Sequence, residues 1–466
     1  MTVTSYRSLL ADDSKAIVAL LKTQRARSTH QIISLEFDLP DVDPLLALRA
    51  LGAKSQPYFY WEQGDRSIAM IGNAATRSFT GADRFAIAQK YLQEIVDGLA
   101  SRTRSFKPII YCRFPFFDAP ASSVPFATSH LCLPQWQIEC QGGRCALIVN
   151  VPENRSIEVV GQEIAVVIDR LERLSGQCLS PNPAKTASKI DIMGQDSLEN
   201  SIDLALQAIA QEQIQKIVLA HTAEVTAPNL SIFSSVANLR DRHPHCYTFA
   251  TSDGLGNCFL GASPERLVTV RDGLLIADAL AGSAPRGQSP LLDRQLGAEL
   301  LADPKEQHEH RLVRDFITNS LVDLGLHPQW SAAPRLLQLA NIQHLWTPIR
   351  TVLLPAVSPL AVVGALHPTP AVAGLPQDLA CAKIREYEQV DRSLYAAPLG
   401  WIDVDGDCEF VVGIRSALVT GLRGASPAET RVRLYAGAGI VAGSQVSREV
   451  AEIQLKLQPL YQSLSM

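Results

Sequence analysis

Two short glycine turns, one near each end of the chain, most constrain what this sequence can fold into. Residues 58–62 and 67–71 have strand composition and are joined by a turn at Gln63-Gly64-Asp65. Residues 399–404 and 410–419 are likewise joined across Asp405-Gly406-Asp407. Strands joined by so few residues pair antiparallel, whereas parallel pairing needs a long crossover. Helical patterns such as residues 82–101 and 305–324 lie between the strands, which predicts an α+β protein with large antiparallel sheets covered by helices.

The composition narrows the class of protein. The 466 residues allow two to three domains or one large one, and 47% apolar with 19% charged residues is typical of a soluble globular chain. The net charge is −5 and no basic run occurs, which argues against nucleic acid as a partner. The apolar stretch 352–375 contains four prolines, so we interpret it as buried loop and short elements, not as a membrane span.

Cysteine usage and the N-terminus indicate the compartment. Nine cysteines are scattered without any C-x-x-C motif, so neither a disulfide framework nor a zinc site is expected, and a reducing compartment fits best. Residues 1–13 include Asp12 and Asp13 and lack the apolar segment of a signal peptide. We therefore expect a cytoplasmic protein.

Two charged residues stand where apolar strands begin or end. Lys216 precedes the apolar run 217–220, where burial would favour the neutral amine and thus a general base. Glu265 follows a strand and the turn Ser263-Pro264, where burial would keep it protonated as a general acid. The alternatives are a lysine that extends to solvent from the strand end and a glutamate paired with Arg266.

Two helices carry paired acids. Glu306 and Glu309 lie three residues apart in the helix 305–324, and Glu449 and Glu452 repeat that spacing near the C-terminus. Residues at this spacing share one face, so the pairs are either two solvated faces or two sets of oxygen ligands, the kind that Mg²⁺ prefers. The neighbouring histidines, His308 and His310, do not have zinc-site spacing and are expected to be surface or satisfied residues.

Two further segments suit a carboxylate ligand. Arg415 lies within the apolar run 410–419, where a buried guanidinium needs a carboxylate from the protein or from a ligand. The small-residue segment 436–443 lets a ligand approach the backbone closely. It does not meet the G-x-G-x-x-G pattern, and no βαβ repeat follows it, so a dinucleotide site is not expected.

Taken together and in this order, these segments resemble the chorismate-utilising enzymes, over about residues 196–464. The resemblance implies a single large domain of two packed, mainly antiparallel β-sheets flanked by helices, with the active site in a deep cleft. We divide the chain into residues 1–190, which match the family weakly, and residues 191–466, the chorismate-binding catalytic part.

The resemblance also implies roles for individual residues. Lys216 and Glu265 would be catalytic. Glu309 and Glu452 would bind Mg²⁺ directly, and Glu306 and Glu449 through water. The substrate would be held by Gly282, Ser283, His344, Tyr395, Arg415, Gly437, Gly439 and Lys456.

Several positions discriminate among family members. Ala281 stands where members that form a covalent intermediate carry lysine, and Lys216 stands where anthranilate synthases generally carry glutamine. Both favour water as the nucleophile, and residues 366–371 look more like isochorismate synthases than salicylate synthases. The chain departs from the family pattern at three places. The last helix begins with Ser444-Gln445-Val446-Ser447, where the family usually has an Asp-Pro-Glu-like start. Ala397 replaces a usual glycine, and Ser283 replaces a threonine.

The function implied is an Mg²⁺-dependent isochorismate synthase, an isomerase that converts chorismate to isochorismate by adding water at C2 with loss of the C4 hydroxyl. Menaquinone or phylloquinone biosynthesis is the expected pathway. The alternatives are a salicylate synthase, which also eliminates pyruvate, and a non-catalytic chorismate-binding subunit. Chorismate is the expected partner, with no nucleic acid or membrane, and the protein is expected to be a monomer.

Overall fold

A computed structural model describes residues 14–26, 28–52, 56–103, 105–119, 124–181, 194–339, 342–423 and 430–465. The predicted boundary near residue 190 and the N-terminal residues 1–13 lie outside these ranges.

The helices of the described ranges cover the outer faces of the sheets. They are α1 (Ser14–Ala26), α2 (Pro44–Ala50), α3 (Arg84–Asp97), α4 (Ile157–Glu172), α5 (Gln195–Ala210), α6 (Ile232–Arg242), α7 (Pro290–Ala302), α8 (Pro304–Asp323), α9 (Pro359–Leu366), α10 (Gln377–Tyr387) and α11 (Val446–Ser463).

The strands of the first half include the predicted N-terminal hairpin. They are β1 (Ile32–Leu39), β2 (Tyr58–Gln63), β3 (Arg66–Ile71), β4 (Ala75–Phe79), β5 (Leu99–Arg102), β6 (Ile109–Arg113), β7 (Ser129–Leu133), β8 (Trp136–Gln141), β9 (Arg144–Pro152), β10 (Lys216–Thr226) and β11 (Tyr247–Ser252).

The strands of the second half include the predicted C-terminal hairpin, now β18–β19. They are β12 (Cys258–Ser263), β13 (Arg266–Arg271), β14 (Leu274–Pro285), β15 (Arg335–Gln338), β16 (Ile342–Val352), β17 (Gly374–Leu375), β18 (Pro398–Asp403), β19 (Cys408–Val412), β20 (Ser416–Thr420) and β21 (Arg431–Val441).

In the part of the chain that the structure describes, these strands form two large sheets. One has twelve strands in the order β17-β10-β21-β20-β12-β11-β2-β3-β8-β9-β1-β5, and the other has nine in the order β15-β16-β14-β13-β19-β18-β6-β7-β4. Pairing is antiparallel except between β1 and β5. Because β11 pairs with β2, the N-terminal and C-terminal strands share one sheet. The predicted α+β class, the two mainly antiparallel sheets and the single domain are thereby confirmed.

Aromatic side chains fill the space between the two sheets. Phe59 on β2 stacks on Tyr111 of β6 with ring centroids 4.0 Å apart. Trp61, also on β2, is fully buried and donates from Nε1 to Glu409 on β19 at 3.1 Å. Burial of each such large side chain contributes about 1.5–3 kcal/mol, so the apolar alternation of the strands supplies the force that holds the sheets together.

The predicted strand 410–419 was wrong in one respect that bears on the site. It is broken at Gly413, Ile414 and Arg415, so that β19 belongs to the nine-stranded sheet and β20 to the twelve-stranded sheet. Arg415 has φ of 51°, a left-handed conformation that interrupts strand pairing. Arg415 therefore lies at a crossing between sheets and not inside one strand.

Two other expectations meet the structure here. Cys140 and Cys145, on the paired strands β8 and β9, form a disulfide, which the sequence had not predicted. The stretch 352–375 folds as the short helix α9, the two-residue strand β17 and connecting loops, as expected. No helix in the described ranges is long and apolar enough to cross a membrane.

Candidate active site

Lys216 is the first residue of β10 and is fully buried (0% exposed). Its Nζ donates to Oε1 of Glu309 on α8 at 2.7 Å. The alternative of a lysine that extends to solvent from the strand end is therefore wrong. Lys216 points instead toward the first acidic helix, which lies against the same end of the sheet.

Glycines on the neighbouring strand β21 make room for these side chains. A Cβ on Gly439 would lie 3.3 Å from Cε of Lys216 and 3.2 Å from Oε1 of Glu309. A Cβ on Gly437 would lie 2.9 Å from the hydroxyl of Tyr395. Both glycines are needed because larger residues would push the lysine, the glutamate and the tyrosine out of place. The structure thus gives them a packing reason, in addition to the predicted role in substrate binding.

The four predicted metal-side glutamates line one cavity, although they come from two helices, α8 and α11, that are far apart in sequence. Burial, with Glu309 beside it, raises the pKa of Glu306 to about 7. Burial, with Glu452 and Glu309 nearby, also raises the pKa of Glu449. Burial alone would raise the pKa of Glu452 as well, but the ion pair with Lys456 at 2.6 Å lowers it. The acidic helices are therefore not two separate solvated faces.

The donor set of this cavity fits a hard cation. Carboxylate oxygens that repel one another are relieved by a bound cation, and oxygen is the ligand that Mg²⁺ prefers. Among the described residues, no three acidic, histidine or cysteine side chains are arranged to ligate one metal ion. A Mg²⁺ ion would therefore need water and substrate oxygens besides Glu309 and Glu452, as this ion readily accepts.

Glu265 follows β12 in the turn to β13 and is 5% exposed. The backbone N–H of Glu265 donates a hydrogen bond to the Ser263 hydroxyl at 3.2 Å, which fixes the turn. No described residue donates a hydrogen bond to its carboxyl group, and Arg266 pairs with Asp278 instead. Burial raises the pKa of Glu265 to about 8, against the lowering effect of Lys216 and Lys456. The carboxyl is thus protonated at neutral pH, as a general acid requires.

A β-bulge in β14 shapes the side of the cavity next to α8. Strand register shifts between Ala281 and Ser283, and Gly282 between them has φ of 75°. This turns the Ser283 backbone N–H toward Glu306, to which it donates at 3.0 Å. His344 lies opposite Ser283 on β16, and its Nε2 is buried without a partner. Burial, with Arg415 and Lys456 nearby, lowers the pKa of His344 to about 3, so the ring is neutral.

Arg415 and Tyr395 close the other side. A hydrogen bond from Ala262 N–H to the carbonyl oxygen of Arg415, at 3.1 Å, holds the left-handed conformation of Arg415. Gly261 has no side chain and so leaves space for that carbonyl. The guanidinium forms no ion pair with any residue in the described ranges, so its charge is available to a ligand. Tyr395 is buried and stacks on Tyr435 with centroids 5.2 Å apart.

All predicted site residues except Lys216 line this cavity of about 130 Å³. Lys216 lies behind its wall and reaches it through Glu309. A second cavity of about 400 Å³ adjoins it and shares Pro264, Arg415 and Lys456. Sequence reasoning missed several lining residues because apolar residues in strands give no chemical signal. These are Val218, Leu280, Ala371, Val372, Ile414 and Tyr435, together with Lys305 at the start of α8.

Sequence reasoning also missed a buried ion pair that holds the site together. Arg392 is fully buried, pairs with Glu388 and donates to the carbonyl oxygens of Val218 and Val372, both at 2.8 Å. Glu388 in turn accepts from Ala220 N–H at 2.7 Å. The pair thus ties β10, which carries Lys216, to the loop that lines the cavity. The i, i+4 spacing of the two charges was the available signal.

Replacing Arg392 with methionine is expected to lower the free energy of unfolding by about 3–5 kcal/mol, because Glu388 would be left buried and unpaired. Urea denaturation measures the change. Arg385→Met is the matched control, since Arg385 pairs with Asp118 where the side chains are 44% and 45% exposed, and about 1 kcal/mol or less is expected. Equal effects of the two substitutions would contradict a structural role for the buried pair.

Comparison with known proteins agrees with this arrangement. A family model described as "Chorismate binding enzyme" matches residues 18–465. Isochorismate synthase MenF of Escherichia coli (strain K12) is 31% identical over 446 residues, 94% of each chain. The "Salicylate biosynthesis isochorismate synthase" of Pseudomonas aeruginosa is 32% identical over 447 residues, 93% of this chain and 90% of that protein. The solved structure of E. coli MenF, the menaquinone-specific isochorismate synthase, matches with a TM-score of 0.77 at 28% identity, covering 96% of this chain and 99% of that one. These matches extend through the N-terminal part, and the chain belongs to the chorismate-binding enzyme family.

Proposed function

We propose that this protein is an isochorismate synthase, an isomerase that adds water at C2 of chorismate and releases the C4 hydroxyl as water. One observation carries the proposal. A buried lysine, Lys216, lies close enough to the buried, protonated Glu265 to lower the pKa of its carboxyl group, and Glu265 lines the cavity that also holds Glu309, the partner of Lys216. Ala281 has no amine that could form a covalent intermediate with the substrate, which leaves water as the nucleophile.

Lys216 is the proposed general base. As the neutral amine, it takes a proton from a water molecule whose oxygen forms the bond to C2. In the structure Nζ is paired with Glu309, and that carboxylate is also a proposed metal ligand. A cation held by Glu309 would compete with Lys216 for that carboxylate, so the two proposed roles are linked through Glu309.

Glu265 is the proposed general acid. As the ring double bonds shift and the C4–O bond breaks, Glu265 gives its proton to the departing hydroxyl, which leaves as water. One water is consumed and one is released, so the product has the mass of the substrate. Exchange of protons with solvent restores neutral Lys216 and protonated Glu265 for the next turnover.

The remaining site residues hold the two carboxylates and the hydroxyl groups of the substrate. Arg415 has the free charge and the fork geometry for one carboxylate, with Tyr395 beside it. Neutral His344 offers its unpartnered Nε2 to a substrate hydroxyl. Gly282, Ser283, Gly437 and Gly439 shape the cavity wall, and Lys456 donates to the carbonyl of Gly437 at 2.8 Å and so fixes that wall.

Magnesium is the proposed cofactor. Glu309 and Glu452 would hold it directly, and Glu306 and Glu449 through water. When bound, it supplies positive charge for the ring carboxylate of the substrate and polarises the ring toward attack at C2. Burial first, and neighbouring carboxylates second, raise the pKa values of Glu306 and Glu449, and a cation at this place would relieve both effects.

Three broader predictions stay proposals. Residues 191–466 form the catalytic part, which is supported by a cavity lined only by residues of that part. The product is used for menaquinone or phylloquinone, which the name of the E. coli relative supports, whereas the P. aeruginosa relative is named for salicylate biosynthesis. We expect a monomer that is located in the cytoplasm. Gel filtration with light scattering measures the oligomeric state.

The test is chromatography with mass detection on purified protein given chorismate and Mg²⁺. A new peak of unchanged mass, without pyruvate, is expected, and it should disappear with EDTA and return with excess Mg²⁺. In water enriched in heavy oxygen, the product should carry one heavy oxygen at C2. Salicylate with pyruvate would indicate a salicylate synthase instead. Tight binding of unchanged chorismate would indicate a non-catalytic subunit.

A further inference from the structure

A third cavity lies between the two sheets, away from the catalytic cavity and from the cavity that adjoins it. It has a volume of about 240 Å³ and shares no lining residue with the active site. Its walls come from β2, β3 and β11 of the twelve-stranded sheet and from β6 and β7 of the nine-stranded sheet. Its lining combines aromatic and polar side chains, and nothing in the proposed reaction uses it.

A buried cation that forms no ion pair with a described residue lines this cavity. Arg113 on β6 is 8% exposed, and its Nη1 has no hydrogen-bond partner. Its guanidinium packs over the ring of Phe126 at 4.6 Å and forms no ion pair with a residue in the described ranges. Asp253 also lines the cavity, but its carboxylate accepts from Leu255 N–H and from the backbone and side chain of Asn257. A buried charge without a partner is costly, so the arrangement calls for an anion.

Two further polar groups of the cavity, Tyr111 and His130, are neutral. The hydroxyl of Tyr111 is buried without a hydrogen-bond partner, although Thr251 lies beside it, and burial raises the pKa of Tyr111. Burial and the nearby Arg113 lower the pKa of His130 to about 3. The oxygens of the Asp253 carboxylate already accept from Leu255 and Asn257, so the unpartnered Nη1 of Arg113 is the charged donor left for a ligand carboxylate. Tyr111 can donate a second hydrogen bond to the same anion.

One side of the wall is apolar and of suitable size for a ring. Phe59 and Met70, which pair across β2 and β3, line this side. A dry cavity of about 150 Å³ is known to hold benzene, so this cavity has room for one six-membered ring and a carboxylate. An aromatic wall opposite a buried guanidinium is the arrangement that binds an aromatic or cyclic acid.

We propose that this inter-sheet cavity is a second ligand site that binds a small ring-bearing monocarboxylate, with the carboxylate on Arg113 and Tyr111 and the ring against Phe59 and Met70. The site is independent of the proposed reaction, because its residues lie outside the active site. Its ligand is distinguished from the substrate by carrying one carboxylate instead of two.

Benzoate is the probe, with uncharged benzamide as its matched control, and calorimetry on the full chain measures binding. Wild type should bind benzoate at least tenfold more tightly than benzamide. Arg113→Met should lower the affinity for benzoate by tenfold or more, whereas Arg415→Gln, at the active site, should leave that affinity unchanged. Loss of binding in Arg415→Gln but not in Arg113→Met, or no binding to wild type on the order of 10 mM, would overturn the proposal.

Thermal unfolding gives a second readout. Without ligand, Arg113→Met should be at least as stable as wild type, because a buried unpaired charge is removed. A marked loss of stability would mean that Arg113 has a partner within the protein, which contradicts the proposal. Met70→Trp tests the site without touching the arginine, since the larger ring fills the apolar wall. It should weaken benzoate binding and leave the turnover of chorismate unchanged.

Discussion

Replacing Lys216 with alanine is expected to lower kcat by a factor of ~10²–10⁴ while the protein stays folded. The amine is the only proposed group that takes the proton from the attacking water, and the fully buried position gives bulk water no easy way to replace it. Steady-state kinetics of isochorismate formation measure the effect. Circular dichroism and the unfolding midpoint check the fold, because Glu309 loses its partner in the variant.

Two further measurements separate the base from its charge. Lys216→Arg keeps a positive charge beside Glu309 but cannot act as a base, because a guanidinium is not deprotonated in proteins. It should be as slow as the alanine variant. A small primary amine such as methylamine, added to Lys216→Ala, should restore part of the rate. A Lys216→Arg variant with near-normal kcat would show that Lys216 acts by charge alone and not as the base.

Much of the site could be predicted from sequence because its residues contradict their surroundings. Lys216 beside an apolar run and Glu265 after an apolar strand each carry a charge where burial is expected, and the structure finds both buried. The paired acids of α8 and α11 share a face by helix geometry alone. Their meeting across the cavity could not be derived from spacing, since it depends on how β14 and β21 place the two helices.

The features that were missed depend on contacts distant in sequence. The run 410–419 alternates as one strand does, and only the left-handed Arg415 shows that the chain passes from one sheet to the other. The spacing of Glu388 and Arg392 could suggest an ion pair but not its burial, which depends on the backbone carbonyl groups of Val218 and Val372. Local pattern carries no information about such distant partners.

Replacing Glu265 with glutamine is expected to lower kcat by a factor of ~10²–10⁴, because the amide fills the same space but has no acidic proton for the departing C4 hydroxyl. Since the pKa of Glu265 is about 8, the wild-type rate should fall as the pH rises through that value. The residual rate of Glu265→Gln should not show that fall. Rates measured across this pH range give both results. Glu94→Gln, at a side chain that is 49% exposed on α3, is the surface control.

The same carboxyl group should leave a signature in stability. Its pKa in the folded protein lies above the ordinary 4.5, so the stability it contributes is fully present below that value and is lost as the pH rises through about 8. Glutamine cannot ionise, so the unfolding midpoint of Glu265→Gln should depend less on pH than that of wild type. A variant that is catalytically weak but more resistant to alkaline unfolding is the expected combination.

If Glu265→Gln lost activity but kept the wild-type pH dependence of both rate and stability, another group would have to be the acid, because the titration assigned to Glu265 would persist without it.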